Sequence, residues 1–197
     1  MADETRHPPT IDLQGARLRP LRMSDAAAFY AYLRDPAVTE LTSYPVVSLP
    51  MVEAMIERYL RRWAEGELSK WGIALQHEDQ LVGTCGFNEW SKVHRWAELA
   101  YDLAQAHWGT GRMRQAVDAV LQWTYQQDQI DRVHAYVRVD NRRSERLLQR
   151  SGFVREGCLR RYRIARGQPH DFYIYGLLRS DWEAARLDSE PTKPASR

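Results

Sequence analysis

The spacing of apolar residues changes period along the chain, and each change marks an element. From Trp96 to Leu103 the residues alternate. Trp96, Glu98, Ala100 and Asp102 fall on one side, and Ala97, Leu99, Tyr101 and Leu103 on the other. A period of two predicts a strand. After Gly109-Thr110-Gly111 the period lengthens. Met113, Ala116, Val117, Val120 and Leu121 recur at helical spacing, predicting an amphipathic helix to about Gln127. Strand, glycine turn and helix in this order are the centre of the chain.

The same reading covers the flanks. Ile11 to Leu21 predicts a strand with Gly15 near a turn. Ser24-Asp25 is placed to cap a helix over Ala26 to Leu33, which stops before Asp35-Pro36. Val38 to Leu49 predicts a short element and a loop. A helix begins at Ser48 or Pro50 and runs to Glu65, with Val52, Met55, Ile56, Tyr59, Leu60 and Trp63 on one face. Strands are expected over Trp71–Gln76, Leu81–Phe87, Arg132–Val139 and Asp171–Leu178, and a helix over Arg142–Gln149 behind Asp140-Asn141. Val154 to Arg166 carries five arginines, Arg155, Arg160, Arg161, Arg163 and Arg166, and reads as a solvated hairpin or a contact for an acidic partner. The pattern gives an α/β fold with a mixed sheet. One domain is expected over residues 10–183, between a disordered lead (1–9) and a disordered tail (184–197).

Composition narrows the function classes. The chain has 197 residues, 44% apolar and 27% charged, with a net charge of +2. That is ordinary globular composition, and the charge is too small to imply nucleic acid by itself. The two cysteines, Cys85 and Cys158, form no CxxC motif, and the six histidines are scattered. A metal site and a disulfide framework are therefore not expected, and a reducing cytoplasm fits. No apolar run approaches the ~20 residues of a membrane helix, and the polar start is unlike a signal peptide.

The glycine turn has the makings of an anion site. Glycines allow tight turning and close approach. The first amides of the following helix have no internal partner and lie at its positive dipole end. Arg112 and Arg114 add charge. Gly111 is followed by Arg112-Met113, so this is not a Walker loop, and Arg114 stands where a Rossmann fingerprint needs a third small residue. Taken alone, a plain turn and an anion site fit equally well.

Trp108-Gly109-Thr110-Gly111 with its helix resembles the pyrophosphate loop of the GNAT family of N-acetyltransferases. The Trp-Gly-x-Gly form is similar to the branch of the Rim-type ribosomal-protein N-terminal acetyltransferases. The wider pattern begins with Gln or Arg, and here Ala106 stands in that place. A second match is Asn141-x-x-Ser144-x-x-Leu147, followed by Gly152-Phe153. Weaker ones are the Trp71-to-Phe87 hairpin and the ending Asp171, Tyr175, Leu178, Asp181 and Trp182. The resemblance spans about Ile11 to Trp182.

The resemblance implies a central mixed, mostly antiparallel twisted sheet flanked by helices. It implies transfer of an acetyl group from acetyl-CoA to a primary amine, a protein N-terminus or a small molecule, with no acyl-enzyme and no metal. The cofactor-binding residues would be Tyr101, Asp102, Leu103, Trp108, Gly109, Thr110, Gly111, Arg112, Met113, Arg114, Asn141 and Ser144. The pyrophosphate would meet the loop amides, and the pantetheine arm would lie along the end of the central strand near Leu103. Asn141 would offer it both a donor and an acceptor. Glu98 is the first candidate for the base that frees the amine, with Glu89 and Asp171 as alternatives, although an ion-paired strand residue fits Glu98 as well. Many members carry an acid tyrosine where this chain has Leu148, so Ser144, or a water it holds, is the replacement candidate. Ser144 equally fits a plain first-turn residue. His134 is a weaker candidate for the site, and Trp90, Trp96 and Trp108 for walls of an acceptor cleft. A homodimer is compatible with the resemblance, and neither a membrane nor direct nucleic-acid contact is expected. The rival from another class is a silent acyl-CoA-binding or RNA-associated protein with the same fold.

Overall fold

The computed structural model describes residues 8–42, 44, 46–127 and 129–187. Gly15, at φ 71°, turns the chain back on itself. The segment that reads as one strand is therefore a hairpin of β1 (Ile11–Leu13) and β2 (Ala16–Arg19). Asp25 does not cap the next helix. Its carboxylate takes two bonds from the Arg19 guanidinium, each 2.8 Å, and one from the Arg22 amide. Helix α1 (Ala26–Leu33) and the single turn α2 (Pro36–Thr39) follow. The Asp35 carboxylate caps α2 through the Ala37 amide, 2.9 Å away. Ser48 caps α3 (Leu49–Ala64), whose apolar face is buried as its spacing requires.

Strands β3 (Lys70–Leu75), β4 (Leu81–Ser91) and β5 (Trp96–Leu103) form a meander. A bulge between Phe87 and Glu89 lets β4 continue to Ser91, four residues past its predicted end. The crossover helix α4 (Arg112–Gln126) leads to β6 (Arg132–Arg138). Helix α5 (Arg142–Arg150), strands β7 (Val154–Ala165) and β8 (Gln168–Leu178) and helix α6 (Arg179–Leu187) complete the chain.

The eight strands form one sheet in the order β1-β2-β3-β4-β5-β6-β8-β7, antiparallel except between β5 and β6. Each face has its own core. One gathers Leu99 and Leu103 with Val117, Val120 and Leu121 of α4, and Trp63, Trp71 and Trp123 meet edge-on beside them. The other packs Phe29, Tyr32, Ile56 and Tyr59 of α1 and α3 over Leu21 and Leu81.

Both expected disordered ends need adjustment where the structure describes them. The Pro9 carbonyl accepts the Trp71 indole N–H at 3.0 Å, and α6 runs past the expected boundary at residue 183. Residues 1–7 and 188–197 lie outside the described residues. No described helix is long and apolar enough to cross a membrane.

The feature that positions a site is a mismatch in pairing. β5 pairs with β4 through Leu103, but with β6 only from Trp96 to Glu98. Beyond Glu98 and His134 the two parallel strands separate, and the second half of β5 has one edge without a strand partner.

Candidate active site

A cleft of about 690 Å³ occupies this parting. Its floor is Leu99 to Leu103 of β5, with Ala135 to Arg138 of β6 opposite. At one end stand the glycine turn and the first turn of α4; the first turn of α5 lies alongside. Gly109 and Gly111 are both left-handed, at φ 74° and 79°. A Cβ on Gly109 would meet nothing within 4 Å, and one on Gly111 only the end of the Gln115 side chain. The glycines serve the backbone turn and leave space above it. Gly111 is the residue before the helix and offers no side-chain cap, so the first amides of α4 remain available. Around them lie Arg112, Arg114, Arg143, Arg146 and Arg150, all on the cleft wall. The Arg112 Nε is buried with no hydrogen-bond partner among the described residues. Open space, free amides and clustered guanidiniums suit a polyphosphate.

Two polar groups flank the middle of the cleft. On the face toward α1 and α3, Glu98 is 4% exposed. Its Oε1 accepts from Asn88 Nδ2 and from the Arg163 guanidinium, each at 3.2 Å. On the opposite face the Tyr101 hydroxyl meets Ser144 Oγ at 2.5 Å. Burial pushes the Tyr101 phenol well above its ordinary pKa, although the Ser144 bond opposes the shift. It therefore stays protonated at any ordinary pH.

The profile of the acetyltransferase (GNAT) domain matches residues 16–154. The chain belongs to the GNAT acetyltransferases. It is 30% identical over 174 residues to the N-acetyltransferase p20 of Bacillus licheniformis, covering 88% of this chain and 98% of that one. It is 33% identical over 101 residues to the ribosomal-protein-serine acetyltransferase of Escherichia coli K12, covering 51% and 56%. Among solved structures, the RimL ribosomal L7/L12 α-N-protein acetyltransferase in complex with coenzyme A superposes with a TM-score of 0.79 at 23% identity, covering 86% of this chain and 98% of that one. The protein is thus an N-acetyltransferase, with the sheet and helices of that fold.

Within this GNAT domain most of the predicted site residues converge. Tyr101, Leu103, Trp108, Gly109, Gly111, Arg112, Met113, Arg114, Asn141 and Ser144 all line the cleft. Thr110 sits between the glycines and turns its hydroxyl to the His107 carbonyl, 2.8 Å away. The Trp108 indole donates to the Leu103 carbonyl at 2.8 Å and lies 3.6 Å under the Arg143 guanidinium. Asn141 is half spent: its side-chain oxygen caps α5 through the Ser144 amide at 3.1 Å, leaving the NH2 to meet a ligand.

Other expectations need correction. Asp102 lines the cleft as well, but its side-chain oxygens are taken by neighbouring groups. It accepts from the Tyr32 and Tyr44 hydroxyls and from both the amide and hydroxyl of Thr84. Burial first, and then the Asp102 charge, raise the pKa of both tyrosines. Asp171 accepts from the Arg161 amide at 2.7 Å and is absent from the cleft wall. Of the alternative bases, Glu89 alone lines the cleft. His134 packs edge-on between Trp96 and Tyr136 instead of lining the site, and burial lowers its pKa. Leu148 is fully buried in the core, and its neighbour Leu147 faces the cleft. Trp90 and Trp96 are not on the cleft wall.

Arg163 was hidden by its setting in an arginine-rich hairpin. It lies 5.0 and 5.2 Å from the Tyr136 and Tyr162 rings and reaches Glu98 across two strands. Burial alone would lower its pKa, but the Glu98 charge raises it above the ordinary value. Among the described residues, no group of three or more His, Cys, Asp and Glu is placed to hold a metal.

Proposed function

We propose that this enzyme moves an acetyl group directly from acetyl-CoA to a primary amine, a protein N-terminus or a small molecule. The reading rests on one observation: the parting of β5 and β6 joins an anion cradle to a buried carboxylate in a single cleft. The α4 amides and neighbouring arginines hold the pyrophosphate. The amide-bearing arm of the co-substrate lies along the open edge of β5, as an added strand would. The amine approaches from the α1 and α3 face, where Glu98 accepts its surplus proton directly or through water.

The nitrogen lone pair then attacks the thioester carbonyl, and a backbone amide at the β5 edge supports the oxyanion. Collapse of the tetrahedral intermediate breaks the carbon–sulfur bond. The sulfur leaves as a thiolate and ends as the free thiol, taking up the proton that the nitrogen loses. Tyr101 and Ser144, one hydroxyl donating to the other, offer their remaining hydrogen to that sulfur as charge develops. They do so from the side of the cleft where Leu148 provides no hydroxyl.

A free-thiol assay with acetyl-CoA and a panel of primary amines tests the reading. Thiol release should depend on the amine, and Tyr101→Phe should lower kcat more than it raises the KM for acetyl-CoA. Acetyl-CoA binding without amine-dependent thiol release would favour the silent acyl-CoA-binding alternative.

A further inference from the structure

The acceptor end of the cleft contains a charge that the proposed chemistry does not use. Lys70 opens β3 and is 2% exposed, yet it lines the cleft. Its Nζ lies 4.0 Å from Asp102 Oδ2 and 5.5 Å from the Tyr59 ring centre. The Lys70 carbonyl accepts the Trp63 indole N–H at 3.1 Å, but among the described residues no hydrogen bond from Nζ itself is seen. Asp102 cannot readily supply one. Its two oxygens already accept four bonds, from Tyr32, Tyr44 and the amide and hydroxyl of Thr84. That is the full capacity of a carboxylate. Asp102 balances the Lys70 charge at a distance and leaves three N–H donors unspent. A buried ammonium with no hydrogen-bond partner is costly, whereas one that meets an anion in a dry pocket binds it strongly.

The placement is built into the sheet. Lys70 stands opposite Gly86, and Gly86 opposite Ala100. A Cβ on Gly86 would come within 2.4 Å of the Ser69 carbonyl and 2.7 Å of the Lys70 Cα, so only glycine keeps β3 this close. Ala100 is two residues from Glu98, about 7 Å along the strand. Glycine and alanine leave room between the carboxylate of Glu98 and the ammonium of Lys70. Arg58, exposed on α3, adds a second cation to the wall.

We propose that Lys70 binds a carboxylate of the acceptor, so that the amines this enzyme acetylates carry an acid group several bonds from the reacting nitrogen. The inference rests on the reading of this cleft as the acceptor's. The amine points at Glu98 and the acid at Lys70, and the strand spacing between them sets the preferred length.

Matched substrates test it in the wild-type enzyme. ω-Amino acids of two to six carbons are compared with the n-alkylamines of the same length at saturating acetyl-CoA. The C-terminally amidated peptides Ala-Asp-Ala-NH2 and Ala-Asn-Ala-NH2 form a second arm, which tells whether the acid arrives on a polypeptide. In one arm or both, the acid should exceed its uncharged partner in kcat/KM by about 10- to 100-fold, the worth of a hydrogen bond to a charged group. Lys70→Met should bring that ratio toward one. Pairs acetylated equally in both arms would overturn the inference and leave amine transfer standing. So would an unchanged ratio in a Lys70→Met enzyme whose circular dichroism matches the wild type. If no member of any pair is acetylated, the transfer reading fails and this inference fails with it. Should the variant not fold, the wild-type ratios decide alone.

Discussion

Glu98 sits where a base is needed, but Arg163 already holds it. The pairing holds the carboxylate in place, and the amine can approach the lone pairs that Asn88 and Arg163 leave free. Glu98→Gln retains the shape and removes the basicity. Its kcat should fall by about 10²-fold or more, the usual share of a positioned base. Acetyl-CoA affinity should hardly change, because its proposed contacts begin beyond Leu99. The direction with pH follows from the acceptor. An α-amine titrates near pH 8 and a lysine amine near pH 10.4, so solvent alone supplies more neutral amine as pH rises. The defect should therefore shrink toward alkaline pH. A pH–rate profile of the variant parallel to that of the wild type at undiminished rate would move the base to Glu89.

At the scale of elements, the glycine turn acts through geometry more than through its own contacts. Gly111 is left-handed and stands immediately before α4. Valine there would meet a backbone strain of about 1–3 kcal/mol and place two methyl groups over the free amides. Calorimetry should find acetyl-CoA binding weakened at least about tenfold in a Gly111→Val protein that still unfolds cooperatively. Undiminished affinity would place the polyphosphate elsewhere. This turn was legible in the sequence because its signals are local: two glycines, a strand period before them and a helix period after. Trp96–Leu103 was legible for the same reason. The end of β4 was not, since the bulge at Asn88 breaks the alternation that would have revealed it. The short strands β1 and β2, three and four residues long, carry too little pattern to separate from one strand. Side-chain roles that depend on distant partners were the least legible. Tyr101 meets Ser144 from 43 positions away, Arg163 meets Glu98 from 65, and Lys70 looks like any solvated strand end until Asp102 is seen beside it.

At the scale of the whole molecule, the proposed co-substrate is a bridge. One half of the sheet, β1 to β5, has its last strand held to β6 by only three registered pairs. The other half, β6 to β8, is tied back by α4, and Tyr125 of that helix donates to the Leu177 carbonyl at 2.9 Å. A ligand laid along the open edge of β5, with its phosphates on α4 and α5, touches both halves, so binding should stabilise the fold as a unit. At a concentration of 100 times its Kd, a ligand that binds only the native state contributes about 2.7 kcal/mol. For a domain of this size each kcal/mol is worth about 2–4 °C, which gives a rise in Tm of about 5–10 °C. The accompanying hydrogen exchange should be local. Amides at Leu99–Leu103, in the glycine turn and in the first turn of α5 should slow, because they line the cleft. No residue of α6 is on the cleft wall, and that helix should follow only the global change. A thermal shift with protection confined to other segments would mean that acetyl-CoA binds outside the parted strands, and the proposed placement of donor and acceptor would fall.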